Sequence, residues 1–169
     1  ADGEGENPEP TSDGDEGEDK MLKSAREENK TPLEIAEYYT KLFFKDLERL
    51  NIETPEVVCK ATEHIKEMLE MVQKIIEKGY AYEKNGTVYF RTRQFKDYGK
   101  LSHKNLDDLR SGERALLVTG ADEKEDPLDF ALWKKDEKFG YNSPCGVGRP
   151  GWHIECSAMS RKHLGKTID

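Results

Sequence analysis

Apolar residues recur at helical spacing in two long stretches of this chain and alternate in two shorter ones, and these patterns predict most of its ordered structure. In "KTPLEIAEYYTKLFFKDLERLNI", Ile35, Tyr38, Tyr39, Leu42, Phe43, Leu47 and Leu50 follow a helical period. Thr31 suits the N-cap, Pro32 the first helical position, and Glu34, three residues after the cap, completes a capping box. At this spacing the aromatic positions are expected to pack in a core rather than stack on a ligand. In "TEHIKEMLEMVQKIIEKGYAY", Ile65, Met68, Leu69, Val72, Ile75 and Ile76 form a second stripe. Thr62 is expected to cap that helix, and Gly79 to close it in the left-handed conformation. His64 has no neighbour that suggests chemistry and is expected at the surface.

The alternating stretches read as strands. Tyr80 and Tyr82 alternate before Asn85-Gly86, and Val88 and Phe90 alternate after it, which predicts a hairpin closed by a type I′ turn. "PLDFALWKK" predicts a short strand with Phe130 and Leu132 on one face and Ala131 and Trp133 on the other. Between them, residues 95–127 are broken by turn formers. Lys100, His103, Lys104, Arg110 and Arg114 could reach phosphates, but Asp97, Asp107, Asp108 and Glu113 are interleaved, and a solvated surface is the expected outcome. A glycine- and proline-rich loop then leads into "GRPGWHIECSAMSRKHLG", which predicts a helix from near Trp152 to Gly165.

Composition narrows the class. Of 169 residues, 34% are apolar and 37% charged, no run of 18 apolar residues occurs, and no secretory leader is evident, so a soluble protein is expected rather than a membrane or secreted one. Cys59, Cys145 and Cys156 are odd in number and lack CxxC spacing, as suits a reducing compartment. The net charge of −8 is concentrated in residues 1–19, which carry nine acidic and no basic residues. The remaining chain is nearly neutral. The acidic segment cannot bury enough apolar surface to offset its ordering entropy and is expected to be an unstructured tail.

The last stretch concentrates chemistry. On a helix, His153 and Cys156 stand three residues apart on one face, where both could reach one zinc ion, or one could ligate while the other lines a pocket. The positive end of the helix dipole favours a thiolate there. Glu155 could orient His153 or meet solvent. The alternative is that Cys156 packs inward with Ile154, Ala158 and Met159, as free cysteines commonly do. Trp152, too, would more often be core than substrate contact.

Five segments decide more than spacing can: "SDGDEGEDKMLKSAREENKTPLEIAEYYTKLFFKDLERLNI", "ATEHIKEMLEMVQKIIEKGYAY", "VYFRTRQFKDYGKLS", "DPLDFALWK" and "GRPGWHIECSAMS". In this order, over roughly residues 12–169, the chain resembles the cysteinyl-tRNA synthetases, a class I aminoacyl-tRNA synthetase family. The resemblance implies activation of cysteine with ATP, transfer to tRNA(Cys), and a zinc ion that binds the substrate thiolate and so separates cysteine from serine. It implies Cys156 as one protein ligand of that zinc, and Trp152 and His153 as lining of the cysteine pocket. No catalytic residue is carried over. The family's His-Ile-Gly-His segment, its other zinc ligands and its Lys-Met-Ser-Lys-Ser loop have no counterpart here. Where the family carries Asn-x-Thr-Asp, this chain has "EGENPEP", and Cys145 stands where tryptophan is usual.

The expectation is therefore α/β: a central fragment, part of a Rossmann-type class I catalytic domain carrying an inserted α+β connective module. Residues 1–19 form the tail, 20–30 lead in from the catalytic domain, 31–147 form the insertion, and 148–169 return with the zinc-pocket helix. Alone the chain is expected to be inactive, with an incomplete zinc site. Its expected partners are the missing parts of the catalytic domain, with tRNA(Cys) and cysteine for the full enzyme, in the cytoplasm, without membrane or DNA. Two other readings remain open: a non-catalytic module binding tRNA or protein, and a related ligase coupling cysteine to an amino sugar. Exposed apolar faces are expected to favour self-association.

Overall fold

Local sequence signals build the first helix. The structure, a computed structural model, describes residues 26–103, 106 and 123–168, which fall into two compact units, residues up to 56 and residues from 57 onward. In the first unit, helix α1 spans Pro32–Arg49. The Thr31 hydroxyl accepts the Glu34 N–H at 3.2 Å, and the Glu34 carboxylate accepts the Thr31 N–H at 2.7 Å, completing the capping box. The Thr31 N–H, with its hydroxyl adding to it, holds the Glu34 carboxyl below its ordinary range. At the other end Asn51 turns left-handed (φ 55°), Asn51 N–H reaches Glu48 O at 3.0 Å and Ile52 N–H reaches Leu47 O at 2.9 Å, a Schellman closure.

The expected core packing of this helix is not what the structure shows. Ile35 is buried, but Tyr38, Tyr39, Leu42 and Phe43 are exposed, Phe43 at 59%. Residues 26–56 offer one long helix and no second layer of their own to cover its stripe.

The second unit holds a sheet with two helices. A single 3₁₀ turn at Ala61–Glu63 precedes helix α2, Ile65–Glu77. Thr62 thus lies inside the turn and caps nothing; the N-cap is His64, which makes no side-chain cap bond. Gly79 does close the helix as the sequence predicts, at φ 79°, with its N–H on Ile76 O at 2.8 Å and the Tyr80 N–H on Ile75 O at 3.1 Å.

Strands β1 (Ala81–Lys84) and β2 (Thr87–Phe90) form the hairpin, and Asn85 and Gly86 take φ 55° and 84°, as a type I′ turn requires. Strand β3 (Phe130–Lys135) pairs antiparallel with β2, and β4 (Gly148–Pro150) pairs antiparallel with β3, giving the order β1-β2-β3-β4. The expected alternation in β3 fails at one place. The β2–β3 register shifts between Val88 and Tyr89, leaving Leu132 as the extra residue between Ala131 and Trp133. A bulge turns neighbouring side chains toward one side, so Leu132 and Trp133 are both buried.

Helix α3, Trp152–His163, completes the unit. Met68 and Val72 of α2, Ala81 and Val88 of the hairpin, Leu132 and Trp133 of β3, and Ile154 and Ala158 of α3 form one core cluster. Each larger side chain contributes about 1.5–3 kcal/mol of transfer free energy there. Tyr82 and Tyr89, directly paired across the hairpin, stack at 5.5 Å outside this cluster. The buried Asp129 carboxylate accepts the Tyr82 hydroxyl at 3.0 Å and the Thr92 N–H at 2.9 Å, clamping the approach to β3 onto the hairpin. Lys100 is exposed and lies 3.9 Å from Asp97, as a solvated surface would have it. The acidic segment 1–19 and residues Lys104, Asp107, Asp108, Arg110, Glu113 and Arg114 lie outside the described residues. Among the described residues, no helix is long and apolar enough to cross a membrane.

Candidate functional site

The glycines of "GRPGW" seat the candidate helix. A Cβ on Gly148 would be driven into the Lys134 carbonyl and the Trp133 indole, and one on Gly151 into the Ala131 carbonyl. Only glycine lets β4 lie this close to β3. Gly151 N–H then donates to Leu132 O at 2.8 Å, and Ile154 N–H to Gly151 O at 3.2 Å. The helix therefore begins at a fixed point on the sheet edge, one residue before Trp152.

Its rotation follows from which side chains the core takes. Ile154 and Ala158, four residues apart, are each 2% exposed and belong to the core cluster, with Met159 packed against it. That assigns the opposite face to solvent, and on it stand Trp152, 74% exposed, with His153 and Cys156. The inward-packing alternative for Cys156 is thereby overturned: Ile154, Ala158 and Met159 do pack as expected, and the thiol does not join them. Trp152 is likewise not core. His153 and Cys156 do share a face, as their spacing predicts.

Glu155 is half-buried between the two faces, where burial pushes its carboxyl up and the Arg149 charge partly opposes the rise. It stands two residues from His153, and residues at that spacing do not face each other on a helix, so it does not orient the imidazole. What touches the ring instead is Phe130, at 4.5 Å between centroids and 54° between planes. The Ser157 hydroxyl donates to the His153 carbonyl at 2.8 Å, within the helix.

Two further residues were misread or missed by sequence reasoning. His64 is not at the surface: it is 5% exposed, with Nε2 2.9 Å from His163 Nε2. Phe130 has no spacing signal that ties it to His153, 23 positions along the chain; only the pairing of β3 with β4 and the turn into α3 bring the two together.

As a donor set for zinc the site is partial. Cys156 offers one soft sulfur open to solvent, which suits the metal. Among the described residues, no three of His, Cys, Asp or Glu are grouped to hold an ion. The described residues can supply a ligand, but not a complete tetrahedral shell.

Known proteins share this stretch and nearly everything before it. The family model described as the catalytic domain of class I (C) tRNA synthetases matches residues 15–169. A cysteine–tRNA ligase of Caldicellulosiruptor saccharolyticus is 53% identical over 154 residues, covering 90% of this chain and 32% of that protein. Those of Treponema denticola and Thermus thermophilus are 52% and 50% identical, each covering 94% of this chain and 33% of their own length. The chain thus spans about a third of the length of these curated relatives.

Proposed function

The chain belongs to the class I (C) tRNA synthetase catalytic-domain family, and from this premise we propose that it is the central segment of a cysteine–tRNA ligase, the enzyme that activates cysteine with ATP and transfers it to tRNA(Cys). The observation that carries the reading is the outward face of α3, where a helix pinned to the sheet presents Trp152, His153 and Cys156 together. The relatives named above all carry the ligase name, which favours this reading over the tRNA- or protein-binding module and the amino-sugar ligase.

Each residue has a role in that proposal. Cys156 would hold zinc through its sulfur, completed by ligands from the rest of the ligase. When bound, zinc supplies a soft Lewis acid that prefers the substrate thiolate over the hydroxyl of serine. Trp152, open to solvent here, would give the bound amino acid an apolar wall and exclude water from it. His153 would offer ring nitrogens to the polar groups of the substrate. None of the three performs a chemical step; they bind and select.

In the same proposal residues 31–147 form the insertion of a Rossmann-type catalytic domain and 148–169 return to it. The seam then falls at β4, which is hydrogen-bonded to β3 and one residue from α3. The full-length protein is proposed to work in the cytoplasm.

The test is cysteine-dependent exchange of pyrophosphate with ATP, followed by charging of tRNA(Cys). The full-length protein is expected to do both and the 169-residue chain neither. Robust exchange by the chain alone overturns the segment reading, and none by the full-length protein overturns the function.

A further inference from the structure

Four rings from four parts of the fold meet beside the candidate site. Phe90 of β2 and Phe130 of β3 are direct partners in the sheet and stack at 5.1 Å, 27° apart. Tyr98, beyond the turn that follows β2, lies 6.3 Å from Phe90 and 6.2 Å from Phe130 and closes the triangle. His153 meets Phe130 from the helix side at 4.5 Å. The three carbocyclic rings are all partly buried, and burial pushes the Tyr98 phenol above its ordinary value. They pack against one another as a partly buried platform.

The imidazole is otherwise unconstrained. It is exposed, and among the described residues neither ring nitrogen has a hydrogen-bond partner; only the backbone carbonyl of His153 is engaged, by Ser157. An exposed imidazole held by nothing samples several rotamers. Here a contact that can select among them is the tilted ring pair with Phe130.

We infer that Phe130, backed by Phe90 and Tyr98, is a positioning residue for His153: it holds the imidazole in one orientation while leaving both nitrogens unclaimed for a polar group of the substrate. The consequence for the pocket rests on the proposed function; the geometric part does not. Preorganising a ring before binding removes the ordering cost from the binding step. Aromatic contacts of this kind carry an advantage of about three- to tenfold in an equilibrium constant. That advantage belongs to binding the amino acid, so it acts on KM for cysteine rather than on kcat.

The experiment has two arms. In the 169-residue chain labelled at histidine ring carbons, the His153 signal is assigned by its loss in His153→Gln. The signal of a ring held with its centroid 4.5 Å from that of a phenyl ring is displaced by the ring current from the free histidine position. Phe130→Leu is expected to return the signal toward the free value, and Phe130→Tyr, which keeps the ring, to leave it in place. Should Phe130→Leu fail to fold, Tyr98→Leu removes only the backing ring and is expected to move the signal part of the way. A His153 signal at the free position in the unaltered chain, or one unmoved in the folded leucine variant, overturns the inference. In the full-length protein Phe130→Leu is expected to raise KM for cysteine about three- to tenfold, with kcat and KM for ATP unchanged and Phe130→Tyr restoring the value. A signal that moves while KM does not separates the two readings: Phe130 then holds His153, and His153 has no place in the cysteine pocket.

Discussion

His64 and His163 meet Nε2 to Nε2 at 2.9 Å, joining the start of α2 to the end of α3. Nδ1 of His64 lies 2.8 Å from the Lys60 carbonyl oxygen. A carbonyl only accepts, so Nδ1 carries a proton; in a singly protonated ring Nε2 then accepts, and His163 donates. The ion pair between Lys162 and Glu67 reinforces the same junction. Removing the His163 ring leaves a buried acceptor unmatched. His163→Ala is expected to cost about 1–3 kcal/mol, with His163→Gln recovering part of it through its own N–H donors. Urea unfolding checks this, and coincident midpoints for the alanine variant and the parent would show that the pair contributes nothing.

The helix that presents the candidate site depends on one glycine. Gly151→Ala drives a methyl group into the backbone carbonyl of Ala131, which cannot swing aside as a side chain can. The expected loss is at least about 3 kcal/mol, together with displacement of α3 from the sheet edge. Gly165 is the control: it sits at φ 103°, and a Cβ added there would point into open space, so Gly165→Ala meets only backbone strain of about 1–2 kcal/mol. Thermal unfolding of the two variants side by side checks the ranking, and equal losses would contradict the close-approach argument.

These residues also show what the sequence could and could not reveal. The capping box at Thr31 and Glu34, the Asn85-Gly86 turn and the Gly79 closure are local, decided by a few neighbouring residues, and all three were legible. Thr62 failed because a 3₁₀ turn competes for the same residues. His64 looked like surface because its partner lies 99 positions away, and no short-range pattern records that. The bulge at Leu132 depends on how β2 and β3 pair, not on β3 alone. For Cys156 the answer was partly present: Ile154 and Ala158 define an inward stripe from which Cys156 is rotated away. Spacing alone could not weigh that stripe against the burial habit of free thiols. Resemblance to a family, rather than residue chemistry, supplied the role proposed for the site.

Alkaline pH should expose the Tyr82 clamp. Burial pushes the Tyr82 hydroxyl up to about 12, with the bond to Asp129 adding to the rise and the Glu125 N–H, donating at 2.7 Å, opposing it. The folded state therefore favours neutral tyrosine more than the unfolded chain does. Its stabilisation is complete below the unfolded value of about 10 and is lost as pH rises from there to about 12. Urea midpoints measured across that window are expected to fall, and to fall less steeply in Tyr82→Phe, which has no proton to lose. The same slope in both proteins would contradict the assignment.

The central claim is that the outward thiol of Cys156 serves zinc and, through it, the choice of cysteine over serine. The most direct measurement is zinc content and cysteine activation by the full-length protein carrying Cys156→Ala. The account predicts loss of bound zinc and a fall of at least about a hundredfold in kcat/KM for cysteine, with discrimination against serine lost alongside. Full metal content with unchanged preference for cysteine would contradict it.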